Sequence, residues 1–519
     1  MNAEMQQKQN SKDTATRIGI IGAGISGLSC AARLVRDLPE TGAWHVHIIE
    51  KESRIGGRIE TSVWQGHKIE IGPQWIHGWH GNPIARLADS LGLEVERLEP
   101  ETVSTVDWQS GRRFDGHVSQ LEIDFLTDIG ALYGRMVTER ATDTNAAAVL
   151  RDLRAGSEGQ AFEARFLKDS LREGIPTWLP LRRSLAGLAA RGLRSLPSFR
   201  GCHGRLSDWM FEENLGVDMG VSPKLYSAKR VFWTAPIVMH LRRGDAVLPG
   251  GYDALPSGLL HWIKTRTRQR PNVTVSLHLG AAVDEWHLGE RIEVPMRGER
   301  LSLSRLVVTW PGWVWADKEH LADEAFRRSQ TGIGVAHLAR CHVKFRGDCP
   351  FPATYTNIVG IEDSPIQWYR QAPDLMVGVA YGAAAQDLER VWRDDPDRIR
   401  ARLRNVFEVL RYPEILAVDM TSHSLRGGSY SFPKVGAEER ALYPRDEDRR
   451  VLCAGEHCVP FAEPDTLMRL AAEDSSRSFP KVPLEQLLQV HPGFLAPSST
   501  HSAFNSGIIA ASKILESLP

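Results

Sequence analysis

Three glycines near the start of the chain have the spacing of a nucleotide-binding turn: Gly22, Gly24 and Gly27, in the run Gly-Ala-Gly-Ile-Ser-Gly. A short apolar strand is predicted before them and an amphipathic helix after them, which is the context that this motif requires. Gly22 permits the tight turn, Gly24 lets a pyrophosphate approach the backbone, and Gly27 lets the helix pack on the strand. Ile25 and Ser26 begin the helix, whose N-terminus would face the phosphates. The turn therefore predicts a dinucleotide ligand.

A charged, glycine-containing segment, Glu50–Arg58, follows the second predicted strand and extends this unit. Glu50, which precedes Lys51, can accept hydrogen bonds from an adenosine ribose, and this favours an unphosphorylated ribose. Gly57 and Arg58 add a turn and a fork-shaped cation that can donate to a phosphate. A nicotinamide enzyme needs no such extension. The segment resembles the FAD-binding signature of the flavin amine oxidase superfamily.

The resemblance covers nearly the whole chain. Residues Ile69–Ile84 read Ile-Glu-Ile-Gly-Pro-Gln-Trp-Ile-His-Gly-Trp-His-Gly-Asn-Pro-Ile and look like the polyamine oxidase branch. Three later segments resemble the other motifs of the superfamily in the same order: Gly428–Ser431, Leu452–His457 and Thr500–Gly507. The resemblance implies an α/β fold, with a discontinuous FAD-binding domain of the glutathione-reductase-like Rossmann type. A substrate domain of mixed sheet and helices would be interleaved with it.

The resemblance also implies cofactor contacts from separated parts of the chain. Besides the residues of the first turn, these are Glu50, Lys51, Gly57, Arg58, Gly72, Pro73, Gln74, Trp75, Val283, Gly455, Glu456, Thr500 and His501. Thr500 and His501 begin a final helix whose backbone N–H groups would face the flavin pyrimidine and favour negative charge there. Monoamine oxidase relatives carry a flavin-bonded cysteine where this chain has Tyr430, so FAD is expected to be noncovalent.

The expected amine site has two aromatic walls, one polar contact and one lysine. Tyr430 and Phe504 are expected to form walls of a cage beside the flavin, and His77 is expected to contact the substrate amine. Lys318 is the candidate for the family's lysine near flavin N5, although alignment on a Gly-x-Gly pattern puts Glu324 at that position. The alternatives are a core tyrosine for Tyr430 and a hydrogen-bonded structural histidine for His77.

Acidic residues and several substitutions bear on the substrate. Asp208, Glu212 and Glu213 fall where family members carry acids along a substrate tunnel, and such carboxylates would attract polyamines. A solvated helix face is the alternative for these three. Met420 and Leu425 stand where the family has a tryptophan and an aromatic residue. These departures weaken the case for spermine or spermidine and barely affect the FAD prediction.

The same resemblance divides the chain into alternating domain segments. The prediction is a disordered leader at 1–16, an FAD-binding domain formed by 17–100, 245–325 and 436–519, a substrate domain formed by 101–244 and 326–435, and an insertion outside the core at 461–497. Hydrophobic spacing predicts an amphipathic helix over 119–141. The arginine- and leucine-rich stretch 181–205 is either a solvated helix or a basic surface for a membrane or a partner.

Composition limits the partners and the compartment. With 63 Lys and Arg against 64 Asp and Glu, the net charge of −1 gives no bulk electrostatic reason to bind nucleic acid or an anionic membrane. No apolar run approaches the roughly 18 residues of a membrane span. Six cysteines in so long a chain are typical of a reducing compartment, so a cytoplasmic location is expected. Cysteine and histidine spacings do not fit a zinc site, and the oligomeric state stays open.

The predicted function is an FAD-dependent amine oxidase with a polyamine-like substrate. A hydride equivalent would pass from the carbon next to the amine nitrogen to flavin N5, giving an imine that water hydrolyses to an aldehyde and an amine. Molecular oxygen would accept the electrons and leave as hydrogen peroxide. Three alternatives remain: an oxidase of another primary amine such as a monoamine or a long-chain amino alcohol, an L-amino-acid oxidase, and a flavin-binding interaction protein with weak activity.

Overall fold

The computed structural model describes the chain in separate stretches. They are residues 15–77, 82–97, 102–107, 112–117, 132–157, 220–229, 245–349, 355–359, 367–422, 427–438, 441–445, 447–459, 481–491 and 499–518. The expected leader up to residue 14, the stretch 181–205 and the acids Asp208, Glu212 and Glu213 lie outside the described residues. The helix predicted over 119–141 is described from residue 132 onward, and residues 132–138 are helical.

The strands and helices alternate along the chain. In the first half they are β1 (Thr16–Ile21), α1 (Ile25–Asp37), β2 (Trp44–Ile49), β3 (Thr61–Trp64), β4 (His67–Glu70), β5 (Ile76–His77), α2 (Pro83–Ser90), β6 (Glu96–Arg97), β7 (Thr102–Asp107), β8 (Arg112–His117), α3 (Ala146–Ala155), β9 (Asp245–Val247) and α4 (Ala254–Arg268). In the second half they are β10 (Val273–His278), β11 (His287–Leu288), β12 (Ile292–Met296), β13 (Glu299–Leu303), β14 (Arg305–Val308), α5 (Glu324–Thr331), β15 (Ile333–Ala336), β16 (Leu338–Phe345), β17 (Tyr355–Val359), β18 (Gln367–Ala372), β19 (Leu375–Tyr381), α6 (Gly382–Asp394), α7 (Pro396–Val409), β20 (Ile415–Ser422), β21 (Tyr430–Pro433), β22 (Val451–Cys453), α8 (Leu484–Leu487) and α9 (Thr500–Glu516). Within the described stretches, no helix has the length and apolar character needed to cross a membrane.

A five-stranded, all-parallel sheet in the order β10-β2-β1-β14-β22 forms the first layer. Its strands are short apolar runs, such as Ile18–Ile21 of β1, whose successive residues are all buried, as expected for a parallel sheet covered on both faces. Because the strands are parallel, they all end at the same edge. Gly22, Glu50 and Thr309 follow β1, β2 and β14 at that edge.

The core beside this sheet is formed mainly by α1, α4 and α9. α1 and α9 approach so closely that a Cβ on Gly507 would lie 2.0 Å from the carbonyl oxygen of Ser26. Leu484, Leu487 and Leu488 are buried in the same core. The prediction that the insertion lies outside the core is therefore wrong for these three leucines, whereas the other residues of 481–491 are partly or fully exposed. The three leucines have helical spacing, and their apolar stripe packs on the domain instead of facing solvent.

A seven-stranded mixed sheet forms the second layer, in the order β20-β16-β19-β18-β17-β7-β8. β17 and β7 pair in parallel, and the other neighbours are antiparallel. Hydrophobic residues of α6 and α7 pack on it, with Trp368 and Phe407 in edge-to-face contact at 5.0 Å between ring centres. Strands of the parallel sheet come from the beginning, middle and end of the chain, and the mixed sheet uses the segments between. This confirms the predicted α/β fold with two interleaved sheets.

Two small sheets carry the side chains expected at the amine site. β5 pairs with β9 and places His77 opposite Asp245, although the two residues are far apart in the chain. β21 pairs with β15 and places Tyr430 opposite Ala336. Short strands of this kind gain their stability from the layers on which they pack, since isolated two-stranded pairs are marginal in water.

Candidate functional site

The glycine-rich turn between β1 and α1 has the backbone that its sequence predicts. Gly22 has a φ of +105°, which side chains rarely tolerate, and a Cβ there would lie 2.1 Å from the hydroxyl oxygen of Thr309. A Cβ on Gly27 would lie 2.0 Å from the carbonyl oxygen of Gly22, because α1 starts directly against the turn. The tight turn and the helix packing therefore both require glycine.

Gly24 differs from these two glycines because its missing side chain faces open space. The nearest atom to a Cβ there would be the carbonyl oxygen of Gly56, at 3.8 Å. Gly24 is also the N-cap of α1, where no side chain caps the helix, and the first turn, with Ile25 and Ser26, carries no acidic residue. Such a helix end attracts anions through its backbone N–H groups and its dipole. The turn thus fits a dinucleotide phosphate.

Residues 50–58 lie directly against this turn. Gly24 forms a backbone bridge with Gly56, whose N–H donates to the carbonyl oxygen of Ala23 at 2.9 Å. A Cβ on Gly57 would lie 3.5 Å from the Cα of Gly24. We call residues 22–27 and 50–58 together the cradle. Its contact surface is mostly backbone, which suits a phosphate-containing ligand.

The buried carboxylate of Glu50 ties the two halves of the cradle together. Its oxygens accept hydrogen bonds from the backbone N–H groups of Ala23 at 2.7 Å and Glu52 at 3.0 Å. The carbonyl oxygen of Glu50 accepts the N–H of Ala281 at 2.8 Å, which brings buried Val283 to the same edge. The structure therefore gives Glu50 a role in shaping the cradle, and its ribose contact stays a prediction.

Arg58 extends from the cradle toward β21. Its Nη1 donates to Oε1 of Glu456 at 2.8 Å and to the carbonyl oxygen of Ser429 at 3.1 Å, and its guanidinium lies 5.4 Å from the ring centre of Trp313. Burial raises the pKa of Glu456, but the charges of Arg58 and His457, together with hydrogen bonds, outweigh it and hold that pKa below its usual range. The predicted phosphate donor is thus also the partly exposed half of an ion pair whose carboxylate is buried.

Tyr430 lies between two anchored neighbours at the start of β21. Ser431 donates from its hydroxyl to Oε2 of Glu456 at 2.5 Å and from its N–H to Oε1 at 3.3 Å. The Tyr430 ring is half-buried and packs in the same cluster as Leu338. A Cβ on Gly220 would lie 2.7 Å from the Tyr430 hydroxyl. The tyrosine is therefore placed firmly and keeps some exposed surface, while its contact with an amine stays a prediction.

His77 lies in a group of polar and aromatic side chains from three elements. Its side chain is 45% exposed, and its Nδ1 lies 3.1 Å from Oδ2 of the buried Asp245. The ring of Trp75 stacks on it, with 5.9 Å between ring centres. His501, at the start of α9, lies close enough that its pKa responds to His77. Burial is the larger cause and the electrostatic influence of His77 is the smaller, and together they lower the pKa of His501 to about 3. The imidazole of His501 is therefore neutral at physiological pH.

The loop 71–75 is held by buried side chains of the seven-stranded sheet. Arg340 donates from Nη1 to the carbonyl oxygen of Ile71 at 2.7 Å, and the hydroxyl of Tyr369 donates to the side-chain oxygen of Gln74. Tyr369 also meets the Trp75 ring edge-on at 4.6 Å between centres. We call Trp75, His77, Asp245 and Tyr430 the amine face. Leu338 connects its two halves, because it packs with the clusters of both Trp75 and Tyr430.

Glu70 is a buried carboxyl group just before this loop. It accepts hydrogen bonds from the N–H of Tyr252 at 2.9 Å and from the hydroxyl of Thr61 at 2.8 Å. Burial raises its pKa to about 7, although these hydrogen bonds and the charge of Arg340 act in the opposite direction. Tyr252 in turn hydrogen-bonds Thr500, so the carboxyl supports both the loop and the start of α9.

The remaining predicted cofactor residues lie along the same surfaces. Gly72 packs tightly, since a Cβ there would lie 2.1 Å from the carbonyl oxygen of Arg58, and Gly455 donates its N–H to the hydroxyl of Ser506 at 2.9 Å. Pro73 is half-buried, and Lys51 is exposed at the outside of the cradle. The cofactor contacts of these four residues stay predictions. The described residues contain no group of histidines, cysteines or carboxylates that could hold a metal ion.

The contacts described for Phe504 and Lys318 lie outside the amine face, and the role of Lys318 near flavin N5 stays a prediction. Phe504 is fully buried in the core between α1 and α9, so it has no surface for a substrate, and the expectation that it forms a cage wall is corrected. Lys318 pairs with Asp284 at 3.2 Å, and its ammonium lies 5.8 Å from the ring centre of Trp310. Glu324, the other candidate for the lysine position, is 76% exposed on α5.

Sequence reasoning did not identify Asp245, Arg340, Tyr369 or Trp313. The first three contact the loop 71–77 through strands that follow it by more than 150 residues, so no local spacing connects them. Ser431 is different, because it directly follows Tyr430 in a quoted motif and its small polar side chain could have been recognised as an anchor.

Comparisons with known proteins agree on one family. Residues 25–461 match the sequence profile of the family described as flavin containing amine oxidoreductase. Among curated proteins, the chain is 33% identical over 149 residues to probable polyamine oxidase 4 of Arabidopsis thaliana, covering 28% of this chain and 29% of that protein. It is 27% identical over 165 residues to the peroxisomal N(1)-acetyl-spermine/spermidine oxidase of Bos taurus, covering 31% of this chain and 30% of that protein. These matches therefore span less than a third of each relative's length.

Two solved structures resemble the whole chain in fold. Putrescine oxidase bound to putrescine has a TM-score of 0.58 at 14% identity, covering 97% of this chain and 99% of that chain. Cyclohexylamine oxidase from Brevibacterium oxydans has a TM-score of 0.58 at 16% identity, with 97% of this chain and 99% of that chain covered. At these identities the likeness concerns the fold.

Proposed function

The chain belongs to the flavin-containing amine oxidoreductases, and we propose that it is an FAD-dependent oxidase of a polyamine-like amine. The observation that carries the proposal is a continuous path between the two surfaces described above. It runs from the open turn at Gly24 through Gly56 to Arg58, and from Arg58 through Glu456 to Ser431, which directly follows Tyr430. A cofactor in the cradle and an amine at the amine face would be neighbours along this path.

The FAD of this family would be held by the cradle and by the starts of two helices. Gly24 and the first turn of α1 would receive the pyrophosphate, and Glu50 would face the ribose. Thr500 and His501, at the start of α9, would lie at the pyrimidine end. When bound, the flavin accepts a hydride equivalent from the carbon next to the amine nitrogen and passes the electrons to oxygen. Tyr430 stands where monoamine oxidases have a flavin-bonded cysteine, which supports noncovalent binding.

The amine face would orient the substrate and exclude water. Tyr430 and Trp75 offer aromatic surfaces, which attract a cationic substrate and limit its orientations once the amine is neutral. His77 would hydrogen-bond the amine nitrogen, and the buried carboxylate of Asp245 fixes its ring from the other side. Only an amine with a free lone pair can release the hydride, so this surface must favour the deprotonated form.

A polyamine-like substrate is proposed because the curated relatives are named as polyamine and acetylpolyamine oxidases. Putrescine oxidase, a structure of similar fold, is named for a diamine. The amines in these names share a primary or secondary amine beside a CH group. A monoamine, a long-chain amino alcohol and an L-amino acid are the competing substrate classes for the same surface.

Three further assignments belong to this proposal. Molecular oxygen would be the electron acceptor. The cradle segments and α9 would form an FAD-binding domain of Rossmann type from about 17–100, 245–325 and 436–519, and 101–244 with 326–435 would form the substrate domain. A reducing compartment such as the cytoplasm is proposed because the five cysteines in the described stretches are buried and form no disulfide there.

Anaerobic titration of the purified holoenzyme tests the function. Polyamines, acetylated polyamines, monoamines and amino acids are added in turn while the visible flavin absorption is recorded. We expect bleaching with polyamines or acetylated polyamines, and recovery of the colour with hydrogen peroxide when air is admitted. Bleaching by monoamines or amino acids alone would replace the substrate class. A protein that neither contains nor takes up FAD would refute the proposal.

A further inference from the structure

The segment 429–431 is fastened on both sides of Tyr430. On one side the carbonyl oxygen of Ser429 accepts a hydrogen bond from Nη1 of Arg58 at 3.1 Å. On the other side Ser431 donates its hydroxyl and its N–H to Glu456, at 2.5 and 3.3 Å. With anchors on both sides, the backbone at Tyr430 cannot shift without disturbing at least one of them.

The two anchors are joined to each other. The same Nη1 of Arg58 that donates to Ser429 also donates to Oε1 of Glu456 at 2.8 Å. Glu456 is 3% exposed and Ser431 1% exposed, so the hydrogen bonds between these two residues are shielded from water, where charge-assisted bonds are strong. The Arg58 side chain is 26% exposed. Arg58, Glu456, Ser431 and the carbonyl of Ser429 therefore form a closed ring, which we call the clamp.

The clamp connects two surfaces that, under the proposed function, would bind different molecules. Arg58 directly follows the cradle glycines, one of which, Gly57, lies against Gly24. Tyr430 belongs to the amine face. The pairing of β21 with β15 fixes the backbone at Tyr430. The clamp adds the contacts that link this strand to Arg58 and the cradle.

We propose that Glu456 is a positioning residue, which couples the cradle to Tyr430 and so sets amine affinity through the orientation of that ring. This inference rests on the proposed function and deepens it. If Glu456 only stabilised the structure, its loss would lower stability and leave amine affinity unchanged. The clamp instead predicts that the loss of an anchor weakens amine binding, and that the loss of the anchor shared with Arg58 weakens flavin binding as well.

Two clamp variants separate these roles. Ser431→Ala removes one hydroxyl from the Tyr430 side and leaves the pair between Arg58 and Glu456 intact. Glu456→Gln keeps the side-chain volume and removes the charge that Arg58 faces. Asp448→Asn is the matched control, because it removes the carboxylate from another close arginine pair, with Arg450 at 2.7 Å, outside the clamp. Tyr430→Leu removes the aromatic ring itself, and its KM and dichroism are the values with which the double variant is compared.

The measurements are made on each holoenzyme and on its apoprotein. Flavin fluorescence quenching gives the FAD Kd, steady-state kinetics with the bleaching amine give KM and kcat, and visible circular dichroism reports the surroundings of the bound flavin without turnover. Ser431→Ala is expected to raise KM about tenfold, the factor for one lost charge-assisted hydrogen bond, with the FAD Kd within about twofold. Glu456→Gln is expected to raise both constants. Asp448→Asn should change neither.

The double variant Tyr430→Leu with Ser431→Ala distinguishes coupling from bracing. If the hydroxyl acts through the ring, the double variant should have the KM and the dichroism of Tyr430→Leu alone. Additive increases, or a Ser431→Ala protein that loses thermal stability while keeping KM and dichroism, would overturn the clamp. If no amine bleaches the wild-type flavin, the function fails, and the dichroism cycle still decides the clamp. A protein that binds no flavin refutes both.

Discussion

In the cradle, the groups that would meet a ligand are backbone atoms at the ends of parallel strands, whereas the amine face consists of side chains from separate elements. Gly24 and Gly57 touch each other through main chain in the cradle. At the amine face, His77 and Asp245 meet only because β5 pairs with β9. A backbone site depends on which positions can be glycine, and a side-chain site depends on which strands become neighbours.

This difference decides what a substitution does in each region. In the cradle, a new Cβ either collides with the backbone or occupies the space of the ligand, so its effect follows from one contact distance. At the amine face, a substitution changes an interaction between distant segments, and its effect depends on charge and burial.

Gly27→Val should have the largest effect. Its Cβ would lie 2.0 Å from the carbonyl oxygen of Gly22, so the turn and α1 cannot both keep their places. We expect a loss of stability above about 4 kcal/mol and a colourless protein. Thermal unfolding and the visible absorption of the purified protein measure both effects.

Gly24→Ala is the matched control for this collision. Gly24 has a φ of −72°, which alanine adopts readily, and its Cβ would meet only the carbonyl oxygen of Gly56, at 3.8 Å. The apoprotein should keep its stability within about 1 kcal/mol while the FAD Kd rises about tenfold or more, because the methyl occupies the mouth of the cradle. Unchanged FAD affinity would contradict the placement of the phosphate.

The same distinction explains how much the sequence could predict. Gly22 needs a positive φ within its own turn, and Gly27 packs against Gly22, so their spacing alone predicted the turn. Glu50 was found by its place after β2. Asp245 and Arg340 could not be found in this way, because their partners at 77 and 71 depend on the pairing of strands and sheets. Phe504 was assigned by resemblance, and the tight packing of α9 on α1 buries it instead.

Glu70→Gln tests the buried carboxyl group near the amine face, whose hydrogen-bond partners are neutral. The pKa of Glu70 is raised to about 7, above its ordinary value near 4.5, so the folded protein binds the proton more tightly than the unfolded chain. Stability is therefore lost as pH rises from about 4.5 to 7, by about 3 kcal/mol from this group. The glutamine variant should gain by that amount over wild type at pH 8 and match it near pH 4, measured by urea unfolding of the apoproteins.

For Glu456, the contribution to stability is expected to change with pH in the opposite direction. Its pKa is held below the ordinary value, since Arg58 and hydrogen bonds outweigh burial, so its contribution is present above the unfolded pKa and is lost as pH falls through the folded value. Glu456→Gln should therefore lose stability relative to wild type at neutral pH and lose less in acid. If the stability difference from wild type changed with pH in the same direction in both variants, the opposite pKa shifts of Glu70 and Glu456 would be contradicted.

Phe504→Leu should have a smaller effect, on stability alone. The Phe504 ring is fully buried between α1 and α9, and the smaller leucine leaves part of that volume unfilled. We expect a loss of about 1–2 kcal/mol and an amine KM within about twofold of wild type. A KM raised tenfold in a protein of normal stability would restore Phe504 to the wall of the amine site.

Lys318→Met should have the smallest effect. The Lys318 ammonium pairs with Asp284, whose side chain is 79% exposed, and such pairs contribute about 1 kcal/mol or less. If this pairing is its role, the rate at which air restores the flavin colour after anaerobic bleaching stays within about twofold. A lysine that served flavin N5 would instead slow that recovery by orders of magnitude without changing anaerobic bleaching. Asp284→Asn separates the two cases, because it breaks the same ion pair and leaves the ammonium in place.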